Sequence, residues 1–303
     1  RQANPLIPLN LISDQALTVT NEGFGTMNGA VPAHSLNSAI CRIDTFSLPS
    51  TSFVSAPMTQ RSAIMEQIKT HARQAGLLYL ALAIIAPFSL SYVPGVLSQA
   101  GGVSAATIAS HQILLRLSMA SELVYQVLEI YIVLALYALF RGVDRRLALQ
   151  MLVLGLVPIP IVFLNELPGI GAIMLATGDF TASALSPATR DAAVIFLHDL
   201  HQLGLVIASI FWGLWLFPLG RLIIKSDFLP TMLGWSVIVG GLGYVLRAIV
   251  VLAPENVVLV NHVELALFLT EYMILGEIPV IVGLLWLGFW KSARYSTIKR
   301  EGS

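Results

Sequence analysis

Charge is what this sequence has least of. Only 11% of its 303 residues are charged, where a soluble domain carries roughly 25%, and 17 basic against 17 acidic side chains leave no net charge. So few ionic groups cannot cover a water-facing surface, which excludes a soluble globule. No Lys/Arg tract occurs, which argues against nucleic acid as a partner. The single cysteine, Cys41, excludes an internal disulfide and a thiolate metal cage. There is no H-E-x-x-H zinc motif, and Ser121 sits in no nucleophile elbow.

What is present is apolar mass. The chain is 56% hydrophobic with a mean hydropathy of +0.79, which makes lipid the natural solvent. A bilayer core of about 30 Å needs about 20 mostly apolar residues per helix. Six stretches qualify, at 75–96, 113–140, 147–176, 192–219, 231–252 and 263–290. The expected fold is all-α, a polytopic membrane protein built as a bundle of six transmembrane helices. Pro87, Pro94, Pro158, Pro160 and Pro168 mark expected bends, because proline removes a backbone donor. In the fifth stretch Gly234, Ser236, Gly240, Gly241 and Gly243 form a small-residue stripe suited to close helix packing.

Residues 1–57 are rich in Ser, Asn, Thr and Pro and contain no basic stretch leading into an apolar core, which sets them apart from a secretory signal. Two readings of them stay open: a poorly ordered leader, or a reading frame extended upstream of a native start at Met58 or Met65. The six-helix domain is expected over 58–303. Its orientation follows from the basic residues. Arg61, Lys69 and Arg73 precede helix one, Arg141, Arg145 and Arg146 separate helices two and three, Arg221 and Lys225 separate four and five, and Lys291, Arg294, Lys299 and Arg300 follow six. The alternate loops carry only Arg190, which places both termini in the cytoplasm. Trp212, Trp215, Trp235, Trp286 and Trp290 all fall near the inner ends, where interfacial anchors are expected.

The stretch FWGLWLFPLGRLIIKSDFLPTMLG, from Phe211 to Gly234, resembles the signature of an uncharacterised bacterial membrane-protein family, domain of unknown function 4386. The resemblance continues in ARQAGLLYLALAI from Ala72, LALYALF from Leu134 and LHDLH from Leu197. It implies a multi-pass protein of the bacterial plasma (inner) membrane, and it carries no catalytic residues over to this chain. Locally, Pro218 and Gly220 are expected to end helix four and Pro230 to open helix five, with Arg221 and Lys225 on a rigid turn.

Ionisable groups at membrane depth are costly, so each is a functional candidate. The candidates for a polar cavity opening outward are Arg116, Glu122 and Glu129 on helix two, Asn165 and Glu166 on helix three, His198, Asp199 and His201 on helix four, Arg247 on helix five, and Glu271 and Glu277 on helix six. Glu122, Gln126 and Glu129 share one face. Three uses are open. His198 and His201, three apart, suit zinc or iron with a carboxylate from Glu122 or Glu271, and a metal-bound water would then make a membrane hydrolase. The same groups suit a proton-coupled or small-solute transporter. Alternatively Arg116 and Arg247 pair with Glu122, Glu166 or Glu264 and the cavity is structural or binds a small molecule. No other cofactor is expected; the partners are the lipid bilayer, an unidentified substrate, and a homo-oligomer left open.

Overall fold

The computed structural model describes residues 58–178, 184–253 and 263–289. The expected leader over 1–57, the basic cluster from Lys291 to Arg300, and Trp290 lie outside the described residues. No strand occurs among the described residues, and six segments are long and apolar enough to cross a membrane: Ser62–Gln99, Gln112–Phe140, Arg145–Thr177, Pro187–Lys225, Thr231–Leu252 and Leu267–Phe289. The chain is an all-α, multi-pass membrane protein.

The first span comprises α1 (Met58–Pro87), a π-helical turn at Phe88–Tyr92 and α2 (Val93–Gln99). A short helix α3 (Ala105–Ser110) leads into the second span, α4 (Gln112–Phe140). The third is split into α5 (Arg145–Leu156) and α6 (Pro158–Thr177), and the fourth into α7 (Pro187–Leu214) and α8 (Leu216–Lys225). The fifth is α9 (Thr231–Leu252); the sixth joins α10 (Val263–Ile274) through a 3-10 turn, Leu275–Glu277, to α11 (Ile278–Phe289).

Prolines set the breaks. A proline cannot donate to the carbonyl four residues before it, and α5 stops at Leu156, four before Pro160, as α7 stops at Leu214, four before Pro218. The fourth span therefore departs from the expected end at Leu219. It breaks at Trp215 and resumes to Lys225, because Pro218 falls in the first turn of α8, where a missing donor costs nothing. Polar residues fix the helix starts. Ser104, Asp144 and Ser186 accept backbone N–H bonds at the beginnings of α3, α5 and α7. Gly178 closes α6 at φ 87°, a left-handed conformation natural to glycine.

The six spans follow one another around a ring, and the last closes on the first: α1 packs on α4 and α11, α6 on α4 and α7, and α9 on α7 and α10. The small-residue stripe of α9 is used inside this ring. A Cβ on Gly241 would stand 2.7 Å from the Gly213 carbonyl oxygen, and one on Gly234 would stand 2.6 Å from that of Gly220. Two large apolar cores and a small cluster of Val162, Leu205 and Ala208 fill the ring among the described residues. One, with Leu136, Phe140, Met151, Leu216, Leu219 and Leu284, lies toward the end that carries Arg141, Arg145, Arg221 and Lys225. The other, with Val93, Leu97, Ile108, Leu115, Ala172 and Val194, fills the opposite end. The tryptophans divide differently from expectation. Trp235 and Trp286 are exposed, but Trp215 is buried in the first core and Trp212 packs edge-on against Tyr125 and Tyr244, since α7 turns those two rings into the bundle.

Candidate functional site

Between the two cores α4 presents Ser118, Glu122, Gln126 and Glu129, all buried. Their spacing of three and four residues places them on one helix face, and that face meets α6 and α7. Glu122 starts about 15 Å from the first residue of α4 at 1.5 Å per residue, so it lies well inside the bundle.

The centre of this zone is a triad of buried groups. Glu122, Glu166 and His201 offer ligand atoms that all lie within 4.8 Å of one another. His201 Nε2 is 3.6 Å from Glu122 Oε2, and Ser118 Oγ donates to Glu122 Oε1 at 3.5 Å. Both carboxyl oxygens of Glu166 are buried, and the group faces the Glu122 carboxyl. The other nitrogen of His201, Nδ1, donates to the Asn165 carbonyl oxygen at 2.8 Å, while Asn165 Nδ2 donates to the His201 carbonyl oxygen at 2.8 Å. With Nδ1 donating to that carbonyl, Nε2 is the ring nitrogen turned to the carboxyl groups.

Local sequence explains the approach of α6 to α7. Gly169 and Gly204 keep the two helices close: a Cβ on Gly169 would come 3.3 Å from His201 Nδ1, and one on Gly204 would overlap the Asn165 amide. A small cleft adjoins the triad, lined by Ser89, Ser118, Glu122, His198, His201 and Gln202 among apolar neighbours from the second core. Its free volume is about 30 Å³, enough for a water molecule or one ion.

The other candidates separate from this centre. His198 lines the cleft without joining the triad; three residues of helix rotate it about 60° from the direction of His201. Asp199 and Arg116 are exposed on the outer faces of α7 and α4. Arg247 pairs with Glu271 at 2.9 Å, with 37% and 62% of the two side chains exposed. The Glu264 side chain lies outside the described residues. Glu129 meets Trp212 and Glu277 meets the Tyr79 hydroxyl, so neutral donors serve where no cation was expected. The sequence reading missed Tyr79, Tyr125 and Trp212, whose hydroxyl and indole groups were hidden within apolar runs. Ser118 was findable, standing one turn before Glu122. Near the basic end, Lys225 Nζ donates to Asp144 Oδ2 at 2.7 Å, and this bond, with the Leu147 and Arg146 N–H groups, holds the Asp144 carboxyl below the usual aspartate range.

A family model described as domain of unknown function (DUF4386) matches residues 74–290. The chain belongs to this family. The matched span of the DUF4386 chain contains the triad, the cleft and all eleven candidate residues. No curated protein and no solved structure matches the chain.

Proposed function

We propose that this membrane protein binds a small cation inside the bilayer at Glu122, Glu166 and His201, and admits it through the cleft. The observation that carries the reading is Glu166, a buried carboxyl set against the Glu122 carboxyl and His201, with no Lys or Arg beside it among the described residues. Two carboxylates against one imidazole leave the centre short of positive charge. An unpaired buried carboxylate is costly, and among the described residues no Lys or Arg forms an ion pair with Glu122 or Glu166. A bound cation supplies what the fold does not. The cleft, at about 30 Å³, suits an ion better than an organic substrate, whose pockets run to several hundred Å³. That weighs against the hydrolase reading. The apolar core beyond Glu129 closes the route toward the basic end, which favours binding over conduction.

The basic end, by the positive-inside rule, is cytoplasmic together with both termini, in the bacterial inner membrane that the family resemblance implies. The cleft then faces outward. The test is cysteine accessibility in a Cys41→Ser background. Gln202→Cys, half-buried in the cleft wall, is expected to be modified by silver ion added from outside, read as loss of thiol labelling after unfolding, while Leu136→Cys in the sealed core stays unmodified. Modification of Gln202→Cys from the cytoplasmic side alone, or from neither side, overturns the reading.

A further inference from the structure

We infer that the cation is a divalent transition metal of the zinc class, ligated by His201 Nε2 and by one carboxylate oxygen each from Glu122 and Glu166, with the fourth position turned to the cleft. This rests on the cation-binding reading above and names the ion.

The donor set carries the choice. One imidazole and two carboxylates suit zinc, and they are harder and more anionic than a copper site would require. An alkali or alkaline-earth ion prefers a shell of oxygens, and a neutral imidazole nitrogen adds nothing to that shell. Spacing agrees. Two ligands each about 2.1 Å from a tetrahedral zinc stand roughly 3.4 Å apart, and His201 Nε2 is already 3.6 Å from Glu122 Oε2. Glu166 completes the set, with a carboxylate oxygen within 4.8 Å of the ligand atoms of both His201 and Glu122.

The surroundings of His201 agree as well. A metal-bound histidine characteristically donates its other ring N–H to a backbone carbonyl or a carboxylate, which fixes the tautomer and aims the lone pair. His201 does so to Asn165 at 2.8 Å, and Asn165 returns a bond to the His201 backbone. Ser118 in turn reaches Glu122 Oε1, leaving Oε2 for the ion. Three protein ligands with a fourth position at a cleft of about 30 Å³ leave room for one exchangeable water.

Metal analysis of the full chain in lipid nanodiscs, stripped with chelator and equilibrated with zinc chloride, tests this. Native protein is expected to retain one zinc per chain. Glu166→Gln, nearly isosteric, and His201→Ala are each expected to weaken binding at least about tenfold, since even outer-shell changes cost that much. Asp199→Asn, exposed on the outer face of α7, is expected to bind like the native chain. If His201→Ala does not fold, Glu166→Gln decides alone. Absence of retained zinc in the native chain, binding unchanged in Glu166→Gln, or binding lost in Asp199→Asn overturns the assignment. The cysteine-accessibility result separates the two ideas, for an accessible cleft in a protein that binds no zinc removes the metal and keeps the cleft.

Discussion

Asn165 and His201 hold each other's backbones: the Asn165 amide donates to the His201 carbonyl oxygen and the His201 Nδ1–H to that of Asn165, each at 2.8 Å. Within a helix those carbonyls already accept intrahelical bonds, so the extra pair is a cross-helix clamp between α6 and α7. It spans the place where Gly204 leaves room for the asparagine. Gly204→Ala puts a Cβ into the Asn165 amide and is expected to open the clamp. The loss is about 1–3 kcal/mol, read as a lower thermal midpoint in detergent or nanodiscs.

Glu166 predicts the opposite sign. With both oxygens buried and set against the Glu122 carboxyl, the carboxyl burdens the metal-free fold. A buried polar group without its full set of hydrogen bonds costs about 1–3 kcal/mol, which an apolar side chain of similar size recovers. Glu166→Leu is expected to raise the thermal midpoint of the metal-free protein and to abolish the stabilisation that zinc gives the native chain. Such an exchange of stability for function is common at sites that must bind.

The close contact of α9 with α7 predicts intolerance of a single methyl group. A Cβ on Gly241 meets the Gly213 backbone oxygen at 2.7 Å, and a backbone atom cannot rotate aside. Gly241→Ala is expected to cost about 1–3 kcal/mol through overpacking. Gly95→Ala, where a Cβ meets nothing within 4 Å, is the matched control and should leave the midpoint within about 0.5 kcal/mol of native.

Asp144 gives a pH dependence outside the membrane-spanning segments. Lys225 and the first N–H groups of α5 favour its charged form, so its folded value lies below its unfolded one. Protons therefore bind the unfolded chain more readily, and the stabilisation is complete above the ordinary aspartate value of about 3.9. It disappears as pH falls through the lower folded value. Asp144→Ala is expected to cost about 1 kcal/mol at neutral pH, chiefly as a lost helix cap, because the Lys225 pair is half exposed and contributes little. The difference between Asp144→Ala and native midpoints should shrink toward acid.

The six spans were legible in the sequence because lipid demands length and apolarity, which composition records directly. Their internal breaks were half legible. Pro160 and Pro218 each act four residues upstream, at Leu156 and Leu214, and the helix resumes beyond both, whereas Pro218 was expected to end its helix; the difference lies in which carbonyl loses its partner. Within the centre, the stripe of Glu122, Gln126 and Glu129 could be read from helical spacing. The meeting of Glu166 and His201 at Glu122 could not, for it depends on how α6 and α7 rotate against α4. Adjacent numbers misled for the same reason: His198 and His201 are neighbours along α7, yet only His201 enters the triad.

An anomalous difference map recorded above the zinc absorption edge, from crystals of the zinc-loaded protein, locates the ion. A peak is expected inside the bundle, about 2.0–2.2 Å from His201 Nε2 and from a carboxylate oxygen of both Glu122 and Glu166. A map with zinc at His198 or on the surface, and no peak among those three side chains, would contradict the zinc assignment.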